Sequence, residues 1–181
     1  MTFKIKNMIK SVVVLCVIAS MSGLLLGFVN KLTYIDPLQE SLNKFNTLSG
    51  TQATFELLKQ DDGDILFFAK SDEQTPVYAI LAKGGGGFRN GIVEMYIFIK
   101  DNSIYKISQG NNKETYFKTV EKANFYDKFY NIDLTTADNF STEKADLVSN
   151  ASFTSTAVTN AINNAKEYYK NYLETLTGGT N

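Results

Sequence analysis

Asp146, Ser149, Ser152, Thr154, Ser155 and Thr156 crowd six hydroxyl or carboxylate groups into residues 146–156. A strongly amphipathic helical pattern follows at once. A helix N-terminus carries unpaired N–H groups and a partial positive charge, so it suits an anion such as a phosphate. A hydroxyl standing there can also be esterified to that phosphate. The plainer alternative is that Thr154 or Ser155 caps the helix and the rest is polar loop. The second candidate is the glycine run Gly84–Gly87 with Phe88, Arg89, Asn90 and Gly91. It completes no G-x-G-x-x-G and no Gly-Lys-Ser/Thr, and a strand-like segment follows it, so it is neither dinucleotide nor P-loop signature. It is either a flexible turn or a place where backbone lies close to a flat ligand.

Other chemistry is thinly supplied. The sequence has no His and a single cysteine, Cys16, which lies in an apolar run. This removes the usual neutral-pH base, the commonest metal ligand, and any zinc or iron–sulfur set drawn from this chain alone. A redox role then needs an organic cofactor. Asp133, Asp138, Glu143 and Asp146 form no evident catalytic pair and suit loops and caps. The net charge of −1 gives no reason to expect nucleic acid as a partner.

The elements that must position these residues are legible from pattern. With 181 residues, 44% hydrophobic and 20% charged, the chain suits one folded domain plus an appendage. The appendage is residues 11–30, uncharged between Lys10 and Lys31; twenty helical residues span roughly 30 Å, the hydrocarbon thickness of a bilayer. Lys4, Lys6 and Lys10 precede it and Lys31 alone follows closely. The positive-inside rule therefore puts residues 1–10 in the cytoplasm and residues 31–181 outside, in a single-pass membrane protein. The run ends Leu-Gly-Phe-Val-Asn-Lys with no small-x-small site, and Leu15 precedes Cys16. An uncleaved anchor fits better than a signal peptide or a lipoprotein. Ala19, Gly23 and Gly27 form a small-residue stripe that serves either as a helix-packing face or as ordinary membrane-helix composition.

Beyond the anchor, Asp36-Pro37 marks a helix start, with Leu38, Leu42 and Phe45 on one stripe. Strand-like runs cover 53–58, 65–69, 77–82, 92–99 and 104–107, divided by turn signals at Asp61–Gly63, Gly84–Gly87 and Asp101-Asn102. The last suggests a hairpin. Residues 114–130 form a helical pattern through Phe117, Val120, Phe125 and Phe129, and 131–144 a loop. The closing helix carries Ala157/Val158, Ala161/Ile162, Ala165, Tyr168/Tyr169, Tyr172/Leu173 and Leu176 on one face, starts near Ser155 and stops at Gly178-Gly179. The fold class is α+β, an N-terminal transmembrane helix followed by one domain with a mainly antiparallel sheet flanked by helices.

The order Asp146-x-x-Ser149-Asn150-Ala151-Ser152-x-Thr154-Ser155-x-Ala157-Val158 resembles the flavin-attachment motif, Asp-x-x-Ser/Thr-Gly-Ala-Thr-x-Thr-Ser, of one membrane protein family. That family comprises the FMN-binding subunit of the Rnf ion-translocating electron-transport complex and its relative in the Na⁺-translocating NADH:quinone reductase. Further pieces occur in the family's order: Phe28–Thr33 at the membrane exit, Gly84–Gly87 with the strand after it, the Asp101–Ile107 hairpin, and Glu114-Thr115 before a Phe-rich segment. The chain departs from the family in four places. Asn150 stands for Gly and Ser152 for Thr, no His precedes Glu114, and no Pro-Gly follows Thr115.

The resemblance implies an FMN-binding-type domain over residues 31–181. It implies one FMN, bound covalently through its phosphate to Ser152. Asp146, Ser149, Asn150, Ala151, Thr154 and Ser155 would form the rest of the motif, read by a dedicated flavin transferase. Gly86 and Gly87, with Phe88 and Tyr96, are the neighbourhood candidates for the flavin ring. The implied role is an electron relay beside the other membrane subunits of an ion-transporting complex, with oxidation of ferredoxin or NADH on those subunits; the short chain favours the Rnf member of the family over its quinone-reductase relative. Two alternatives stay open, a flavin-free structural subunit of the same complex and an unrelated anchored surface protein.

Overall fold

The structure is a computed structural model that describes residues 2–34 and 36–177. The expected stop at Gly178-Gly179 lies outside the described residues. The chain divides into two compact units, Met1–Glu40 and Ser41–Asn181.

In the first unit, helix α1 (Thr2–Thr33) extends past both ends of the uncharged run and is long and apolar enough to cross a membrane. Two of its hydroxyls bond back to the helix: Ser22 Oγ donates to the Ile18 carbonyl at 2.9 Å and Thr33 Oγ1 to the Val29 carbonyl at 2.8 Å. Such bonds keep polar groups satisfied where water is absent. Helix α2 (Pro37–Ser49) opens as expected, with Asp36 Oδ1 accepting from the Leu38 N–H at 3.0 Å.

The second unit is an antiparallel meander of five strands in the order β1-β2-β3-β4-β5. They are β1 (Phe55–Asp62), β2 (Ile65–Ser71), β3 (Tyr78–Gly84), β4 (Val93–Lys100) and β5 (Ser103–Gln109). Gly63-Asp64 closes the first hairpin between the paired Asp62 and Ile65. Asp101 (φ 51°) and Asn102 (φ 58°) close the last one between Lys100 and Ser103. Two consecutive left-handed residues make a turn whose twist matches the strands, and Asp and Asn tolerate that backbone best after Gly.

Alternation along β4 divides the sheet into two covered faces. On one, the buried Phe45 of α2 meets Phe55, Tyr96 and Phe98 at ring separations of 5.8, 5.7 and 6.1 Å. On the other, Met95, Ile97 and Ile99 join Ile80 and Ala82 under helix α4 (Ser152–Leu176), whose Ala157, Val158, Ala161, Ile162 and Ala165 are fully buried. A bulge between Ile65 and Phe67 lets Ile65 and Phe68 share the α4 face although they are three positions apart.

The expected continuous helix over 114–130 is two pieces. Helix α3 (Phe117–Lys122) stops two residues before Asn124, which is left-handed with φ 51°, and a 3₁₀ turn follows at Phe125–Phe129. All four expected apolar members are buried nonetheless. Within the second piece Phe129 meets Phe125 at 5.5 Å, and it also meets Phe140 at 4.8 Å.

Candidate functional site

The hydroxyl-rich segment enters α4 through a tight turn. The Ala151 N–H donates to the Val148 carbonyl at 3.0 Å, and Asn150 takes φ 64°. Only the third residue of this turn is left-handed, the position that takes Gly or Asn. Asn150→Gly is therefore expected to be close to neutral and Asn150→Ala to cost about 1 kcal/mol, read from urea midpoints.

Helix α4 begins at Ser152, three residues before the expected start, with Ala151 at the N-cap and no side-chain cap bond. The expected capping role of Thr154 or Ser155 is overturned, because both hydroxyls point into the protein. Thr154 Oγ1 donates to Glu114 Oε2 at 2.9 Å. Ser155 Oγ donates to the Ala151 carbonyl at 2.6 Å and accepts from the Val148 N–H at 3.2 Å. Thr154 and Ser155 are 1% and 0% exposed, whereas Ser152, in the first helical position, is only half-buried. The first helix bond runs from the Ser155 N–H to the Ala151 carbonyl at 2.8 Å. That leaves the N–H groups of Ser152, Phe153 and Thr154 as the donors any helix start presents.

Glu114 joins this helix start to the glycine loop. While Oε2 holds Thr154, Oε1 accepts from the Phe88 N–H at 2.8 Å. The loop is folded tightly around that carboxylate: the Gly87 N–H donates to the Gly91 carbonyl at 2.9 Å, and a Cβ on Gly87 would strike Glu114 Oε1. Arg89 (φ 54°) and Asn90 (φ 62°) are both left-handed, a conformation that costs Arg about 1 kcal/mol. Gly86 (φ 94°) lies against Thr156 and Asn160. Asn160 Nδ2 donates to the Gly85 carbonyl at 2.8 Å, and Asn164 Nδ2 donates to the Lys83 carbonyl at 2.9 Å. At Gly84 the helix backbone itself touches the strand, leaving no room for a Cβ beside the Ala157 carbonyl and the Ala161 N.

Beside the loop is a cavity of about 570 Å³ lined by Phe88, Gly91, Ile92 and residues 111–116. Small-molecule sites typically measure about 300–1,000 Å³. Phe88 also meets Phe153 edge-on at 6.1 Å, directly after Ser152 in the chain.

The structure thus brings Ala151, Ser152, Thr154, Ser155, Gly86 and Gly87 into one neighbourhood. Asp146 and Ser149 are exposed on the approach to it. Their segment is held by Lys128, whose ammonium donates to the Asp146 carbonyl at 3.0 Å and sits 4.0 Å from the Phe125 ring centre. Burial lowers the Lys128 pKa, and the Asp146 charge opposes that shift. Tyr96 is not brought in, being buried against Phe45 on the opposite face of the sheet. Sequence reasoning missed the bridging role of Glu114 and the clasps from Asn160 and Asn164. The two asparagines four apart, on the border of an apolar helix face, were the available signal for the clasps.

These residues fit a phosphate-linked flavin on three grounds: a half-buried hydroxyl at the helix start, three N–H donors around it, and an adjacent open cavity with an apolar wall. No group of three or more Cys, Asp or Glu side chains suited to a metal ion occurs among the described residues. Residues 89–167 match the family model described as FMN-binding domain, a span from Arg89 of the glycine loop into α4. A comparison with curated proteins gave no match.

Proposed function

We propose that this chain is a membrane-anchored electron-transfer subunit carrying one FMN, joined through its phosphate to Ser152. We further place it in an Rnf-type ion-pumping redox complex, with the other membrane subunits of that complex as partners and a flavin transferase for maturation. One observation carries the reading: Ser152 opens α4 with a half-buried hydroxyl, while Thr154 and Ser155 behind it are buried and already bonded. The match to the FMN-binding domain supports the cofactor, and α1 supports the anchor.

In this reading Ser152 Oγ gives up its proton to a base on the transferase and bonds to phosphorus. The phosphoanhydride of a flavin dinucleotide donor breaks, and the nucleoside monophosphate leaves. The N–H groups of Ser152, Phe153 and Thr154, with the helix dipole, hold the phosphate. Glu114 fixes the glycine loop against the same helix turn. When bound, FMN would supply reversible electron uptake and release. The Lys4, Lys6 and Lys10 cluster against Lys31 supports a cytoplasmic N-terminus and an extracytoplasmic domain.

The test is co-expression of the full chain with a flavin transferase, followed by a denaturing gel and mass spectrometry of the tryptic peptide spanning residues 145–166. A fluorescent band and a peptide heavier by one FMN less water are expected. A dark band with an unmodified peptide would leave the flavin-free subunit as the better reading.

A further inference from the structure

The second unit hides its large apolar side chains well, with a concentrated exception. Among its described residues, the exposed large hydrophobics are Leu58, Phe88, Ile92, Tyr116, Phe153 and Leu176. Four of these six belong to one patch. Phe88, Ile92 and Tyr116 line the cavity, and Phe153 joins them through its ring contact with Phe88. Phe88 is 54% exposed and Phe153 61%. Scattered apolar residues on a surface need no explanation, but a contiguous aromatic patch at the mouth of a cavity does.

The backbone around Phe88 is built to hold it outward. Its N–H is fixed by Glu114, its carbonyl accepts from the Gly91 N–H at 3.0 Å, and the two residues after it are left-handed. Strained backbone held by its surroundings clusters where a surface has a task. The two rings stand at 69° to each other, so they form a corner with apolar faces toward a bound planar ring rather than a closed stack of their own.

We propose that Phe88 and Phe153 form the aromatic wall on which the isoalloxazine ring of the Ser152-linked flavin lies, with Ile92 and Tyr116 continuing that wall into the cavity. The inference rests on the reading of Ser152 above and adds the ring's location. The tether argues for this occupant: a flavin leaving Ser152 meets Phe153 next in the chain and Phe88 beside it, and the ribityl chain gives the reach to the cavity.

The chain has no Trp, which makes a contact test possible. An indole quenches an excited flavin by electron transfer only near van der Waals contact. A phenol in contact quenches flavin as an indole does, so the parent chain carries Tyr116→Phe; it is loaded by co-expression with a flavin transferase alone and with Phe88→Trp, Phe153→Trp or, as a remote control, Leu176→Trp added. The readout is fluorescence lifetime per attached flavin, with attachment counted by peptide mass. At least a several-fold shorter lifetime is expected in Phe88→Trp and Phe153→Trp and none in Leu176→Trp. Phe88 lies outside the attachment segment, so Phe88→Trp still decides the matter if Phe153→Trp disturbs loading. A flavin present on Ser152 with the lifetime of the Tyr116→Phe parent in Phe88→Trp overturns this inference alone. A wild-type chain that takes no flavin overturns the reading beneath it as well.

Discussion

Gly84→Ala is expected to destabilise the folded second unit by about 3 kcal/mol, at the upper end of the range for overpacked sites. For a domain of this size that lowers the melting temperature by roughly 10 °C. The methyl group would enter the volume of the Ala157 carbonyl and the Ala161 N, and neither can swing away as a side chain could. Relief requires α4 to lift from β3. That movement would stretch the bonds from Asn160 to Gly85 and from Asn164 to Lys83, and would shift the helix start that carries Ser152. The neighbouring glycine is the control. A Cβ on Gly85 meets nothing within 4 Å and its φ is not left-handed, so Gly85→Ala should stay within about 0.5 kcal/mol of wild type. Thermal unfolding of the full chain in detergent, followed by tyrosine near-ultraviolet circular dichroism, separates the two variants. Equal melting temperatures would show that α4 does not lie on the strand as described.

The contrast between Gly84 and Gly85 also shows where sequence reasoning stops. The run of glycines was visible as a turn, and a turn it is. That its first member packs against Ala157 and Ala161, more than seventy residues later, depends on a tertiary contact that no local pattern reports. The hairpin at Asp101-Asn102 was legible because its chemistry is local, two residues that tolerate left-handed backbone between two apolar runs. The closing helix was legible because its apolar residues repeat at helical spacing over many turns. The segment 114–130 was misread for the complementary reason: Phe117, Val120, Phe125 and Phe129 keep a helix-compatible spacing, and nothing in it signals that Asn124 turns left-handed. On β2 the alternation is equally misleading, since strict period two separates Ile65 from Phe68 and a bulge unites them. At the site, Thr154 and Ser155 looked alike as cap candidates beside the hydroxyl of Ser152. Their burial divides them from Ser152, and it follows from Glu114 and from the turn at Ala151 rather than from residue type.

Ser152→Ala is expected to abolish flavin attachment altogether, and Ser152→Thr to retain it, since both Ser and Thr offer a hydroxyl at the helix start. The structural cost of Ser152→Ala should be negligible. The Ser152 side chain has no hydrogen-bond partner among the described residues, and Ala is the better helix former. The neighbouring hydroxyls should behave in the opposite way. Thr154→Ala removes a donor to Glu114, and Ser155→Ala leaves the Val148 N–H without its acceptor; each should cost about 1–2 kcal/mol while the flavin stays on Ser152. For Thr154 to serve as a substitute acceptor, its oxygen would have to leave the Glu114 carboxylate and emerge from a position 1% exposed, which unwinds the first turn of α4. In-gel fluorescence, peptide mass and a melting curve on the same four variants test these expectations together. A Ser152→Ala chain that still carries flavin, with the added mass on Thr154 or Ser155, would remove Ser152 from the site. A Ser152→Ala chain that loses flavin but melts like wild type would separate the attachment chemistry of this oxygen from the packing of the residues around it.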